Sequence, residues 1–113
     1  ELCVLRIALE VLDLPGVVIA DRNASSEWAS FHSSPRGLHH IDGELLFAEY
    51  WVHEDEIATF KHRSIKCAEI LVPDVLQPGF ITGVYVSCRE SAQQIRNAGV
   101  VMDMDICPYL FFR

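Results

Sequence analysis

An α+β sheet protein is the fold this sequence predicts, on three observations. Short runs rich in β-branched residues recur along the chain, at 17–20, 67–72 and 81–87. Helix-start residues stand between them, notably Asp42 and Ser87-Cys88-Arg89-Glu90. Gly and Pro punctuate the joins, as in Leu14-Pro15-Gly16 and Ser33-Ser34-Pro35-Arg36-Gly37.

Taken in order, residues 3–9 are apolar except for Arg6 and predict a buried strand. Leu14-Pro15-Gly16 turns the chain into a second strand at 17–20, which Asp21-Arg22-Asn23 ends. Asn23 or Ser25 then caps a short predicted helix with Trp28 and Phe31 on neighbouring turns. After the loop at 33–37, Asp42 caps a helix with Leu45, Leu46 and Tyr50 at helical spacing. An acidic patch, Glu54-Asp55-Glu56, precedes a basic, less regular stretch at 59–66. Residues 67–72 predict a third strand stopped by Pro73, and 81–87 a fourth. The capping box at Ser87 and Glu90 opens a helix that Gly99 closes, and strands at 100–104 and 109–112 complete the sheet. The sum is about six strands and three or four helices.

The 113 residues suit one domain, and half are hydrophobic. A net charge of −7 argues against an indiscriminate, charge-driven nucleic-acid or membrane binder, while leaving room for a local basic groove. No apolar run approaches the ~18 residues of a membrane span. Cys3, Cys67, Cys88 and Cys107 form no Cys-x-x-Cys pair and no ligand spacing, so reduced, mostly buried thiols of a cytoplasmic protein are expected. The opening Glu1-Leu2-Cys3-Val4-Leu5 reads as a strand in progress, and we expect the chain to begin within a longer polypeptide.

Glu69 interrupts the otherwise apolar Cys67-Ala68-Glu69-Ile70-Leu71-Val72. By period-two alternation it shares a face with Cys67 and Leu71, where a carboxylate faces water, is paired, or lines a cleft. Just upstream, Lys61, Arg63 and Lys66 gather three of nine Lys/Arg within six positions. Such a run is either a solvated face or a phosphate-contact site. His39-His40 and Asp42 are metal-ligand types, but adjacent histidines suit one tetrahedral centre poorly, and His32, His53 and His62 show no joining spacing. No metal is expected. Ser33 and Ser34 lack a nucleophile elbow, and the six scattered glycines make no phosphate loop.

Four segments in order resemble the DarT-type DNA ADP-ribosyltransferase toxins. They are Gly16-Val17-Val18-Ile19-Ala20-Asp21-Arg22-Asn23-Ala24, His40-Ile41-Asp42-Gly43-Glu44-Leu45-Leu46 through Tyr50-Trp51, Arg63 leading into Ala68-Glu69-Ile70-Leu71-Val72-Pro73, and Ile106-Cys107-Pro108-Tyr109-Leu110-Phe111-Phe112. The resemblance implies an ADP-ribosyltransferase-like split sheet with flanking helices, of which this chain is the C-terminal portion. It implies an enzyme that uses NAD as donor and modifies a base in single-stranded DNA, thymine and guanine both being open. It maps the catalytic glutamate onto Glu69 and the DNA-facing region onto residues 21–66. Arg22, Asn23, Lys61, Arg63 and Lys66 are the DNA-binding candidates there, with Trp28 or Trp51 to stack on a base. The family's NAD-binding histidine and arginine lie in its N-terminal half and map to no position here. A macrodomain antitoxin is the implied partner. Two rival readings are a non-catalytic nucleic-acid- or protein-binding module of the same fold, and a plain structural core with Glu69 facing water.

Overall fold

The computed structural model describes residues 2–111. Its contacts divide the chain into two compact units, one made of the segments up to Val11 and from Leu76 onward, the other of residues 12–75.

The first unit holds a three-stranded sheet in the order β1 (Val4–Ile7), β5 (Ile81–Val86), β6 (Met104–Ile106). β1 runs antiparallel to β5, with Val4 opposite Tyr85 and a register shift between Arg6 and Ile7. β6 runs parallel to β5, a pairing that needs a crossover. Helix α3 (Arg89–Asn97) supplies it, packing Ala92 and Ile95 on Val84, Val86 and Met104. Its polar face explains its short apolar stripe.

The α3 helix starts one residue later than predicted. Cys88, not Ser87, is its N-cap and makes no side-chain capping bond, although Cys88 Sγ lies 3.3 Å from Ser91 Oγ. The end is as predicted: Gly99 takes φ +90° while its N–H and that of Val100 donate to Arg96 O and Ile95 O, a Schellman motif. The strand predicted at 100–104 lies further along as β6, because that glycine-led exit from α3 consumes residues 99–103 before pairing begins. Pro108–Leu110 form a 3-10 turn rather than a closing strand, since Pro108 has no N–H to give a ladder; Phe112 lies outside the described residues.

The second unit holds β2 (Val18–Ala20) flanked antiparallel by β3 (Phe31–Ser33) and β4 (Glu69–Leu71). The continuous apolar run at 17–20 suits the central position: Val17, Ile19 and Ala20 are buried. Gly16, at φ +79°, turns the chain into β2 so close to Pro73 that an added Cβ would stand 3.2 Å from its ring. β4 is shorter and more exposed than predicted: as an outer strand of this sheet it leaves Glu69, Ile70 and Leu71 accessible, and Cys67 belongs to the end of the preceding helix.

Phe31 is in β3, not on a helix. Between β2 and β3 the polar side chains capture the backbone: Asn23 Oδ1 accepts from Ser25 N at 3.0 Å and Ser26 Oγ from Trp28 N at 3.2 Å, which turns the chain instead of coiling it. Asp42 caps α1 (Gly43–Leu46) as predicted, accepting from Leu45 N, but that helix is one turn long and Tyr50 lies beyond it. The stretch expected to be irregular is the longest helix, α2 (Glu56–Lys66). Asp55 caps it by accepting from Ile57 N, Glu56 sits in its first turn, and Arg63 and Lys66 sit in its last. Those charges complement the helix dipole at both ends. No described helix is long and apolar enough to cross a membrane.

Candidate catalytic carboxylate and nucleic-acid interface

Every predicted site residue falls in the second unit. Ala20 pairs with Glu69 across β2 and β4, so the chain leaving β2 passes beside the Glu69 side chain. There the Ala24 N–H donates to Glu69 Oε2 at 2.9 Å. Among the described residues Oε1 has no hydrogen bond, so the carboxylate is oriented by one oxygen and open at the other. The same turn is tied to α2, since Asn23 N donates to Ser64 O at 2.9 Å. Asp21 closes its far side, with its N–H donating to Ser30 O and its Oδ1 accepting from Ser30 N. The 21–28 turn is therefore fixed to both α2 and β4.

Between this turn and α2 lie two adjoining recesses. One, about 350 Å³, is lined by Asn23, Ser25, Trp28, Phe60, Arg63 and Cys67 among others. The second, about 440 Å³, is lined by Arg22, Trp28, Ile57, Phe60, Lys61 and Ser64 among others. Trp28 and Phe60 belong to both and are 74% and 66% exposed, so two aromatic rings stand ready beside a row of cations.

The five basic and polar candidates are placed differently. Lys61 and Arg63 are exposed, and Arg63 lies over the Trp51 ring, 4.8 Å from its centroid. Arg22 is half-buried beside Asp21, with 3.5 Å between Nε and Oδ1. The Asn23 side chain serves its own turn by accepting from Ser25 N and Ser25 Oγ. Lys66 turns inward, its ammonium donating to Leu46 O at 3.0 Å and Ala48 O at 2.6 Å.

Sequence spacing gave no link between His53 and His62, yet their Nε2 and Nδ1 atoms lie 2.9 Å apart. The buried His62 also places Nε2 2.9 Å from Leu45 O. A carbonyl only accepts, so His62 donates from Nε2 to Leu45 O, and with that ring neutral its Nδ1 accepts from His53 Nε2–H. His32 and His40 stack at 3.7 Å. Among the described residues no group of three or more His, Cys, Asp and Glu is placed to hold a metal ion. All four cysteines are free, but Cys3 and Cys67 are exposed, against the expectation of mostly buried thiols; Cys67 is accessible because it ends a helix rather than lying in a covered strand.

Two small sheets with flanking helices form the α+β arrangement expected of an ADP-ribosyltransferase-like fold, and in the second unit the turn that holds the Glu69 carboxylate also borders a cation- and aromatic-lined groove. The family model described as ssDNA thymidine ADP-ribosyltransferase, DarT, matches residues 1–112, and the chain belongs to that family. Among solved structures, Thermus sp. 2.9 DarT in complex with carba-NAD+ is similar at 18% identity and a TM-score of 0.81, over 97% of this chain and 58% of that one. The same protein in complex with ADP-ribosylated ssDNA is similar at 19% identity and a TM-score of 0.76, over 97% and 54%. Thermosipho africanus DarTG in complex with ADP-ribose is similar at 24% identity and a TM-score of 0.73, over 97% and 29%. The chain thus spans little more than half the length of the Thermus protein. No curated protein matches it.

Proposed function

We propose that this chain carries the catalytic strand and acceptor-side surface of an NAD-dependent ADP-ribosyltransferase that modifies thymidine in single-stranded DNA, with Glu69 as the catalytic residue. The observation that supports it most is the half-bound Glu69 carboxylate, accepting from Ala24 N–H through one oxygen only, in the turn whose Asn23 and Ser25 border the aromatic recess. Family membership supports the donor and acceptor, as do the relatives bound to a carba analogue of NAD and to modified ssDNA.

Breaking the nicotinamide–ribose bond develops positive charge on the ribose, as glycoside cleavage does. A carboxylate held by one oxygen keeps the other for a ribose hydroxyl and for that charge, at no cost of reorganisation. The same group is placed to take the proton from the attacking base nitrogen. Lys61, Arg63 and Arg22 meet phosphates, Asn23 holds the turn that presents Glu69, and Lys66 steadies residues 46–48 behind the groove. Trp28 offers a free ring for a base, whereas one face of Trp51 is taken by Arg63. We further propose a cytoplasmic toxin role with a macrodomain antitoxin, for which the DarTG relative gives support.

The test is incubation of the protein with NAD and short single-stranded oligonucleotides, read by mass. Transfer to thymidine that Glu69→Gln abolishes, in a variant that still binds the oligonucleotide, is the expected result. Full transfer by folded Glu69→Gln would refute the assignment.

A further inference from the structure

The sheet of the first unit has an open edge. Among the described residues β6 is an outer strand, and it pairs with β5 through alternate residues only. Val84 N donates to Asp103 O and Cys107 N to Val86 O, so residues 103, 105 and 107 face β5. In a parallel ladder the residues between them point the other way. Met104 and Ile106 therefore aim their N–H and C=O groups outward, with no backbone partner among the described residues. Natural sheets usually blunt such an edge with charge on the strand, proline or a covering element. Here a recess of about 290 Å³ lies beside the edge instead, lined by Met104 and Ile106 and by Arg89, Ala92, Gln93 and Arg96 of α3. Arg89, Gln93 and Arg96 are exposed, and neither arginine has an ion pair among the described residues. Arg89 opens α3, where the helix dipole disfavours a cation, so helix stability does not account for it.

We propose that this edge is a strand-addition site, which takes an extended, acidic segment of another protein as a further strand of the sheet. An incoming strand continues the ladder by exchanging main-chain hydrogen bonds with Met104 and Ile106. Its side chains alternate, every second one toward α3. Carboxylates at the two ends of a five-residue stretch then stand about 13 Å apart on that side. Arg89 and Arg96 are nearly two full turns apart on α3, about 10 Å along one face. The two spacings agree within the reach of an arginine side chain, whose fork takes a carboxylate through two N–H groups. An apolar residue midway meets Ile106, which is 49% exposed. On the other face Asp105 is bound to Arg6 at 3.1 Å and its side chain is 60% exposed, so the remaining incoming side chains are neutral or basic. Asp103 and Asp105 also repel a phosphate backbone, which lacks the alternating donors and acceptors that the edge requires. A second copy fits badly, because the register that pairs Met104 with Ile106 sets Asp105 against Asp105.

The probe is the end-blocked peptide Glu-Thr-Val-Thr-Glu, fluorescently labelled and titrated into the protein by anisotropy and by nitrogen-15 NMR. Saturable binding is expected, with amide shifts centred on Met104 and Ile106 and slowed exchange of those two amides. Lys-Thr-Val-Thr-Lys should not bind. The acidic peptide N-methylated at its three inner residues keeps its charge but should lose most of its affinity, because its main chain no longer donates. Joint Arg89→Gln and Arg96→Gln substitution should weaken the acidic peptide about 3- to 30-fold and leave oligonucleotide binding unchanged. Unshifted Met104 and Ile106 amides, or equal binding of the N-methylated peptide, overturn strand addition, and these arms need no variant of the protein. Loss of oligonucleotide affinity in the double variant would give the arginines to nucleic acid. Self-association of the protein that the acidic peptide abolishes would give the edge to a second copy, and either result overturns the proposal. Thymidine transfer plays no part in any arm, so this site and the transferase reading fail separately.

Discussion

Replacing His62 by Phe tests the polar anchor that sets α2 against the preceding segment. The imidazole is 5% exposed and sits in a chain of two bonds, donating to Leu45 O and accepting from His53, each 2.9 Å long. Phe keeps a ring of similar size in place, so packing is nearly conserved and polarity alone is lost. Each bond is worth about 0.5–1.5 kcal/mol net, and the abandoned Leu45 carbonyl adds a desolvation cost of similar size. We expect His62→Phe to lose about 2–4 kcal/mol, read from denaturant unfolding as a lower midpoint with an unchanged slope. His62→Gln, which keeps an N–H donor, should lose less. Nitrogen-15 NMR should find His62 and His53 each protonated on Nε2. A His62→Phe loss below about 0.5 kcal/mol, or a His62 proton on Nδ1, would refute the reasoning.

Charge neutralisation should sort the basic stretch: Lys61→Gln and Arg63→Gln should each flatten the salt dependence of oligonucleotide binding by roughly 0.7, whereas Lys66→Gln should leave the slope and lower stability, its ammonium being held by Leu46 O and Ala48 O. An equal slope change for all three would return Lys66 to the phosphate-contact set. Thiol titration should count four reactive groups on denaturation, with Cys3 and Cys67 reacting first in the native protein and Cys107 last; a count of two would contradict four free thiols. The Glu90 carboxyl is held below the usual range by its own backbone N–H and then by Cys88. A depressed folded value stabilises above the unfolded value and loses that contribution as pH falls through the folded one, so Glu90→Gln should flatten the stability profile below about pH 5. A steeper acid loss in Glu90→Gln would contradict that sign. Gly83→Ala should destabilise β5, since an added Cβ meets Asp103 O at 3.0 Å and the Arg6 guanidinium at 2.6 Å; Arg6→Ala should relieve only the second clash, and a stable single variant would refute the crowding.

Strands whose neighbours are all apolar were legible because burial leaves a continuous hydrophobic run. β2 is of this kind, while β5 was legible from its β-branched residues around Gly83, although Thr82 is exposed. α2 was missed because its inward group is a histidine and its exposed side carries Ile57 and Phe60, which blurs the apolar stripe a helix usually shows. Its cap and end charges were the signal that could have found it, Asp55 and Glu56 at the start and Arg63 and Lys66 at the end. The Asn23–Trp28 segment failed in the opposite direction: a helix cap and a polar turn use the same residues, and which one forms depends on where β3 pairs, a long-range fact.

For the site, alternation along the strand picked out Glu69 as a residue out of place, but its three permitted explanations differ only in what lies across from it. What the sequence lacked is the Ala20–Glu69 register, which brings the turn after β2 to the exposed carboxylate and lets one backbone N–H hold it. A sequence also counts charges without their directions. Lys61 and Lys66 stand five positions apart on one helix, so they point away from each other by about 500° of rotation, or 140°. One consequently reaches the groove and the other the carbonyls of Leu46 and Ala48. A basic cluster on a helix is thus two different devices: one face borders the recess with Trp28 and Phe60, and the other ties down residues 46–48.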